Sequence, residues 1–307
     1  MAGNGDSIRA IFFALGANFA IAVAKGVAAF VTGSGAMLAE TVHSLADCGN
    51  QLLLLLGLRQ ARRPVTPEHP LGYGRAIYFW SFLVAVMLFS VGGMFSVYEG
   101  VHKLRHPEPL QQWWWAVGVL VFAIVAEGIS MRACLQEVAK ARGTRTLWQW
   151  FRESRQAELV VIFGEDLAAL LGLLFALVAI GLAVATGNPL WDAIGTIGIG
   201  VLLIVIAVLV AVEVKAMLIG QSVDPFLQTQ ISEFLASRPE IAQVLHLITL
   251  QQGNEVLVSV HARMRRIHDG EAMLRDIDQV ERALKQQFPV VRWSFFEPEG
   301  DDDPAPA

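Results

Sequence analysis

The chain has little charge. Asp, Glu, Lys and Arg make up 17% of its 307 residues, against about a quarter in an ordinary soluble domain. Cysteine is almost missing. Cys48 and Cys134 are the two present, and both lie inside apolar runs. That argues against a disulfide framework and leaves them as small packing residues. There is no basic patch, and the formal net charge is −5. A nucleic-acid partner is excluded on that ground. No H-E-x-x-H cluster occurs, which argues against a membrane metalloenzyme built on that motif. The opening MAGNGDS carries no basic cluster. The apolar run behind it is too long for the core of a signal peptide, so it is expected to be a retained span with no targeting segment.

What the chain has instead is apolar length. Hydrophobic residues reach 54% and the mean hydropathy is +0.50. A span needs about 20 mostly apolar residues. Six runs meet this: Ile8–Val31, Ala36–Leu58, Ile77–Val101, Trp113–Ala133, Leu159–Thr186 and Leu190–Val212. Gly33-Ser34-Gly35 separates the first two runs, and Asn188-Pro189 the last two. No internal repeat is evident. The fold class expected is an α-helical membrane protein with six transmembrane helices and a small α+β domain behind them.

Basic residues set the orientation. Arg59, Arg62, Arg63 and Arg75 flank the link between runs 2 and 3, and Arg132, Lys140, Arg142, Arg145, Arg152 and Arg155 that between runs 4 and 5. Lys103 and Arg105 stand alone on the other side, a ratio of ten to two. Both termini are therefore expected in the cytoplasm, or the equivalent inner compartment, with a bacterial inner (plasma) membrane as the setting. Trp113, Trp114 and Trp115 fit an interfacial belt at the far end of run 4.

After Gly220 the text changes. Residues 221–307 hold 8 basic against 14 acidic residues, while residues 1–220 hold 15 against 14. Asp224-Pro225 reads as a helix start. Residues 226–236 are expected as a helix with Phe226, Ile231, Phe234 and Leu235 inward. Segments 244–251 and 255–262 form a hairpin about Gln252-Gly253-Asn254. Residues 271–287 form a second helix with Ala272, Leu274, Ile277, Val280 and Leu284 on one side. Segment 290–296 is a last strand. The partition is 1–220 transport domain, 221–298 soluble αββαβ domain, and 299–307 a disordered acidic tail.

Charges at membrane depth are costly and tend to be functional. In run 2, Glu40, His43, Asp47 and Asn50 fall at offsets 0, +3, +7 and +10, so they form one stripe on a helix. His43 and Asp47, one turn apart, can hold one face of a divalent cation. Run 5 offers Glu165 and Asp166. Neighbouring helix positions point about 100° apart, so one of the two is expected as the main ligand. Glu127 in run 4 and Asp192 at the start of run 6 are further candidates. Lys25 in run 1 is expected to pair with an acid. Glu40 and Asp192 are placed near the outer interface, in reach of water. Glu99 is expected to pair with Lys103 or Arg105.

At these residues the chain resembles the cation diffusion facilitator family of zinc transporters. The stretches HSLADCGNQLLLLLGLRQARRP, HPLGYGRAIYFWSFLVAVMLFSVGGMFSVYEGVHKL and GNPLWDAIGTIGIGVLL carry the likeness. GEDLAALLGL and GNPLWDAIG are most similar to the branch holding mitochondrial zinc transporter nine and its bacterial relatives. The resemblance implies a tetrahedral transport site with two ligands from span 2 and two from span 5. His43, Asp47 and Asp166 match three of them. The fourth position is Ile162, and Glu165, Glu127 or water is left to fill it. It also implies a ferredoxin-like, metallochaperone-like cytoplasmic domain, a homodimer, and alternating access with protons exchanged for the metal. Accessory metal positions of the family match His69, with Tyr73 where a second His is often found. They also match His246, His261 and Glu297, with Phe295 at another. The function expected is export of a divalent cation, zinc first, with no cofactor besides the transported ion. A cation channel and a transport-inactive metal-binding sensor or scaffold are the alternatives.

Overall fold

The computed structural model describes residues 4–107, 110, 112–265 and 269–299, with side chains described from residue 15 except 17. The chain opens with α1 (Asn4–Thr32) and α2 (Gly35–Ala61). The next run holds α3 (Ala76–Met87) and α4 (Phe95–Arg105), joined without a break by a π-helical stretch, Leu88–Met94. Then come α5 (Trp113–Arg142), α6 (Leu147–Glu153), α7 (Ala157–Thr186) and α8 (Leu190–Ile219). Among the described residues, four helical runs are long and apolar enough to cross a membrane: Ala76–Arg105, Trp113–Arg142, Ala157–Thr186 and Leu190–Ile219. In α1 the apolar stretch described is Asn18–Thr32. α2 carries Glu40, Asp47 and Arg59 along its length.

These helices share one core. Ala28, Met37, Leu54, Tyr78, Leu88, Leu120, Leu173 and Leu203 are buried together in it. The π stretch lies where the α3–α4 run crosses α8. Small residues let the two backbones approach. A Cβ on Gly100 would meet Ile197 N at 2.8 Å and Ala193 O at 2.9 Å. α6 is a departure from the expected loop between the fourth and fifth runs. It starts with a capping box, Thr146 Oγ1 accepting from Gln149 N at 3.2 Å and Gln149 Oε1 accepting from Thr146 N at 3.0 Å. Its Trp150 and Phe151 are buried.

Beyond α8 the order is α9 (Pro225–Ala236), β1 (Ile241–Gln252), β2 (Glu255–Met264), α10 (Gly270–Gln287) and β3 (Val291–Glu299). Asp224 caps α9 by accepting from Phe226 N at 3.1 Å and Leu227 N at 3.2 Å, with Pro225 at the first helical position. The sheet order is β1-β2-β3, with β1 antiparallel to β2 and β2 parallel to β3. Strand β2 alternates. Val256, Val258, Val260, Ala262 and Met264 are buried against Ile231 and Leu235 of α9 and Val280 and Leu284 of α10. This is a second, separate core. Two residues expected inward point out: Phe226 is 68% exposed and Leu274 62% exposed. In each helix the neighbouring apolar positions suffice to cover the sheet. The predicted acidic tail lies, from residue 300, outside the described residues.

Candidate functional site

The polar stripe of α2 turns into the helix bundle. Glu40, His43 and Asn50 are fully buried. His43 Nδ1 lies 3.6 Å from Asp47 Oδ1, the i,i+4 spacing of the helix. Among the described residues, neither nitrogen of His43 has a hydrogen-bond partner, and neither has Asp47 Oδ1. Buried polar atoms without partners are rare and call for an explanation. A Cβ on Gly92, in the π stretch, would stand 3.9 Å from His43 Nδ1. The irregular turn thus faces the histidine, as π-turns at functional sites often do.

A cavity of about 40 Å³ lies beside this stripe. Asn18 and Ile21 of α1, Ser44, Asp47 and Gln51 of α2, Glu127 and Ser130 of α5, and Glu165, Asp166 and Ala169 of α7 line it. Three of the four lining helices, α2, α5 and α7, thus bring four carboxylates to one space. Ser130 Oγ donates to both oxygens of Asp166 at 3.3 Å. Glu165 is buried, with Oε1 unpartnered and Asn50 beside it. The adjacent pair Glu165 and Asp166 both reach the cavity, so neither is turned away as the helix angle alone suggests. Ile162, one turn before Asp166, is 38% exposed on the outer face of the bundle. His43 stands behind Asp47 and outside the cavity lining. Among the described residues, no three His, Cys, Asp or Glu side chains are grouped closely enough to hold one metal ion. The carboxylates surround a common space without converging on a point.

Two acids expected near water are sequestered. Lys25 Nζ donates to Glu40 Oε2 at 3.1 Å and to Ser44 Oγ at 2.7 Å, and both charged side chains of this pair are fully buried. Asp192 is buried at the start of α8 and caps α2. It accepts from Ser34 Oγ at 2.5 Å, Gly35 N at 2.8 Å and Ala36 N at 3.4 Å. Lys103 turns to Asp192 at 3.8 Å and to the Gly33 carbonyl, rather than to Glu99.

The remaining candidates lie elsewhere. His69 is exposed in the loop after α2, stacked on Tyr73 with ring centroids 4.3 Å apart. His246, His261 and Glu297 occupy one register row across β1, β2 and β3. Their partner Glu299 was not expected: His261 Nε2 lies 3.1 Å from Glu299 Oε2. Its place two residues after Glu297 on the same strand face was the available signal. Phe295 is exposed on β3.

The profile of the cation efflux transmembrane domain matches residues 11–219. The Xenopus laevis proton-coupled zinc antiporter SLC30A9, mitochondrial, is 33% identical over 263 residues, which is 83% of this chain and 46% of that protein. Metal tolerance protein C4 of Arabidopsis thaliana is 32% identical over 231 residues, 75% of this chain and 50% of that protein. Zinc transporter ZitB of Escherichia coli (strain K12) is 24% identical over 288 residues, 93% of this chain and 85% of that protein. The chain thus spans about half the length of the first two. Among solved structures, MamM-CTD is 16% identical with a TM-score of 0.23, over 24% of this chain and 95% of that one. With a transmembrane-domain profile matched over most of its length and apolar helices packed around buried acids, this chain is a multi-pass membrane protein that belongs to the cation efflux, or cation diffusion facilitator, family.

Proposed function

We propose that the chain transports a divalent metal cation, zinc first, out of the cytoplasm or its equivalent compartment in exchange for protons. One observation carries the reading: Asp47, Glu127, Glu165 and Asp166 reach one small cavity inside the helix bundle, with unpartnered His43 directly behind Asp47. Buried carboxylates without cationic partners are costly. A divalent cation, or protons in its absence, would neutralise them. His43, Asp47 and Asp166 are the principal ligands in this reading. Glu165 takes the fourth position that Ile162 leaves open, and Glu127 is a reserve ligand from α5. The ligands must tighten around the ion on binding, since they do not converge without it.

The same residues explain the exchange. A metal ion needs deprotonated ligands, and imidazole titrates near neutral pH, so metal and protons compete for one set of atoms. Alternating access then moves the loaded site from one face to the other. We further propose that α1 and α2 also cross the membrane, giving six spans, because Ala28, Ala29, Ala36, Met37 and Ala39 are buried in the same core as α5, α7 and α8. The αββαβ order supports a ferredoxin-like fold for residues 221–298 behind a transport domain of residues 1–220. Both termini lie on the cytoplasmic face of a bacterial plasma membrane, or of the equivalent inner membrane, and the protein works as a homodimer. His69, His246, His261 and Glu297 are accessory metal positions in this reading.

Zinc uptake into proteoliposomes that hold a pH dye tests the proposal. Inward zinc flux is expected to drive protons the other way, and both signals are expected to collapse in His43→Ala and Asp47→Ala. Zinc flux with no proton movement would mark a channel. Normal flux in both variants would remove the site assignment. A panel of zinc, iron, cobalt, nickel, manganese and cadmium gives the ion preference.

A further inference from the structure

A buried ion pair, Lys25 with Glu40, stands beside one end of the cavity and is tied to it through Ser44. α8 begins at Leu190 and runs to the connection with the tail domain at Gly220, about 45 Å away at the helical rise of about 1.5 Å per residue. Asp192, in the first turn of α8, accepts from Ser34 Oγ and Gly35 N at the bend between α1 and α2. That bend therefore marks the end of the bundle remote from the tail. Along α1 the order toward it is Asn18, Ile21, Lys25. Along α2 the order away from it is Glu40, Ser44, Asp47, Gln51. The cavity takes Asn18, Ile21, Ser44, Asp47, Gln51 and, on α7, Ala169. Lys25, Glu40 and Gly172 stand one turn further on, all on the remote side.

These three close on one another. The Lys25 ammonium bonds Glu40 at 3.1 Å and Ser44, itself a cavity residue, at 2.7 Å. Gly172 has no side chain, and Glu40 Oε1 fills the space where its Cβ would be. No water reaches either charge. An ion moving from Asp47 toward the remote face meets this layer first and the Asp192 clasp second.

We propose that the Lys25–Glu40 pair is the remote gate of the permeation path. The lysine acts as a tethered cation that holds Glu40 across the path until the helices rock. It is a positioning residue, since it bonds Glu40 and Ser44 and none of the ligands proposed above. A purely packing role would be indifferent to its charge. Replacing a buried ion pair with apolar groups can leave a fold intact, whereas removing one member leaves a buried charge that seeks water. Either single removal is therefore expected to wet and open this layer.

The inference rests on the transport reading, but its test needs no metal. Ile21→Cys places a thiol in the cavity, in a chain carrying Cys48→Ala and Cys134→Ala. A membrane-impermeant methanethiosulfonate is applied to right-side-out and to inside-out vesicles. The parent is expected to react from the tail face only. Lys25→Met and Glu40→Gln are expected to react at least tenfold faster than the parent from the remote face, and the exchange Lys25→Glu with Glu40→Lys is expected to close that face again. Unchanged remote labelling in both single variants, with tail-face labelling intact, overturns the gate. So does labelling that rises equally from both faces and survives the exchange, which marks a disordered bundle. If the labelling follows the expectation while zinc flux is absent in the parent, the transport reading fails and the gate stands.

Discussion

Tyr78 and Gly253 exchange two hydrogen bonds across the junction of the membrane helices and the tail domain. Gly253 N donates to Tyr78 Oη at 2.9 Å, and Tyr78 Oη donates to Gly253 O at 3.4 Å. Gly253 is the first residue of the β1–β2 turn, with φ +66°, and Gly74 packs directly on it. Burial raises the Tyr78 environment's cost for any unpaired group, and the phenol is fully buried.

Tyr78→Phe is accordingly expected to loosen the tail domain from the bundle. It leaves the buried Gly253 N–H without an acceptor, at a cost of about 1–3 kcal/mol. Limited proteolysis at the Gly220–Asp224 connection reads this directly. Faster release of the tail domain than in the parent is the expected result. An unchanged cleavage rate would mean that the packing of Gly74 on Gly253, with Arg155 donating to Ser222 O at 2.7 Å, holds the junction without Tyr78.

Asp192 is expected to be a stability residue rather than a metal ligand. It satisfies Ser34 Oγ, Gly35 N and Ala36 N at the start of α2. Losing such a cap costs about 0.5–2 kcal/mol. Asp192→Ala is expected to lower the thermal midpoint in detergent more than Asp192→Asn does, because the amide keeps one acceptor. Zinc affinity of the surviving protein is expected to be unchanged. A loss of affinity with no loss of stability would place Asp192 in the ion path.

Much of this could be read from residues alone, and the failures share a cause. The helices follow from apolar runs that nothing else accommodates, and the hairpin from Gly253 between two β-branched segments. Asp192 was misplaced because its partners lie 156 to 158 residues away, at the end of another helix. A pattern within one run cannot show that its first turn abuts another run's first turn. Glu40 was misplaced for the same reason, since Lys25 sits on a different helix. The π stretch left no trace in composition, because its residues are as apolar as those of the helices on either side. α6 was missed, although Thr146 and Gln149 spell its capping box, because the surrounding basic residues read as loop. The acids that line the cavity could be picked out by residue type. The shape of the site could not be, because whether Glu165 or Ile162 faces the bundle depends on how α7 is rotated against α2 and α5.

That rotation makes an unequal prediction for two positions on α7. Glu165 lines the cavity, whereas Ile162 faces outward. Glu165→Gln is expected to weaken zinc affinity by about 10- to 100-fold, the range seen when groups that tune a metal site are removed. Ile162→Asp, which puts a carboxylate at the position where the resemblance places the fourth ligand, is expected not to rescue Glu165→Gln. Isothermal titration in detergent compares the three proteins. Rescue would show that α7 turns about its axis when the ion binds.

The dependence on pH follows from which state of each ligand can bind. A metal ion needs the neutral imidazole of His43 and ionised carboxylates at Asp47 and Asp166, and protonation removes each lone pair. Lowering the pH on the loading side therefore favours the proton-bound site, and the apparent KM for zinc is expected to rise. The change is expected within the range from about pH 8 to about pH 5, over which imidazole groups exchange protons. Acidifying the opposite face is expected to do the reverse, because it helps protons displace the ion there. His43→Gln keeps a polar side chain without a titrating nitrogen. Its KM is expected to be higher at every pH and its dependence on pH shallower by about one proton. Initial rates of zinc uptake across this range decide the matter. A KM independent of pH in the parent would break the link between metal and proton, and an unaltered slope in His43→Gln would move the exchanged proton to the carboxylates.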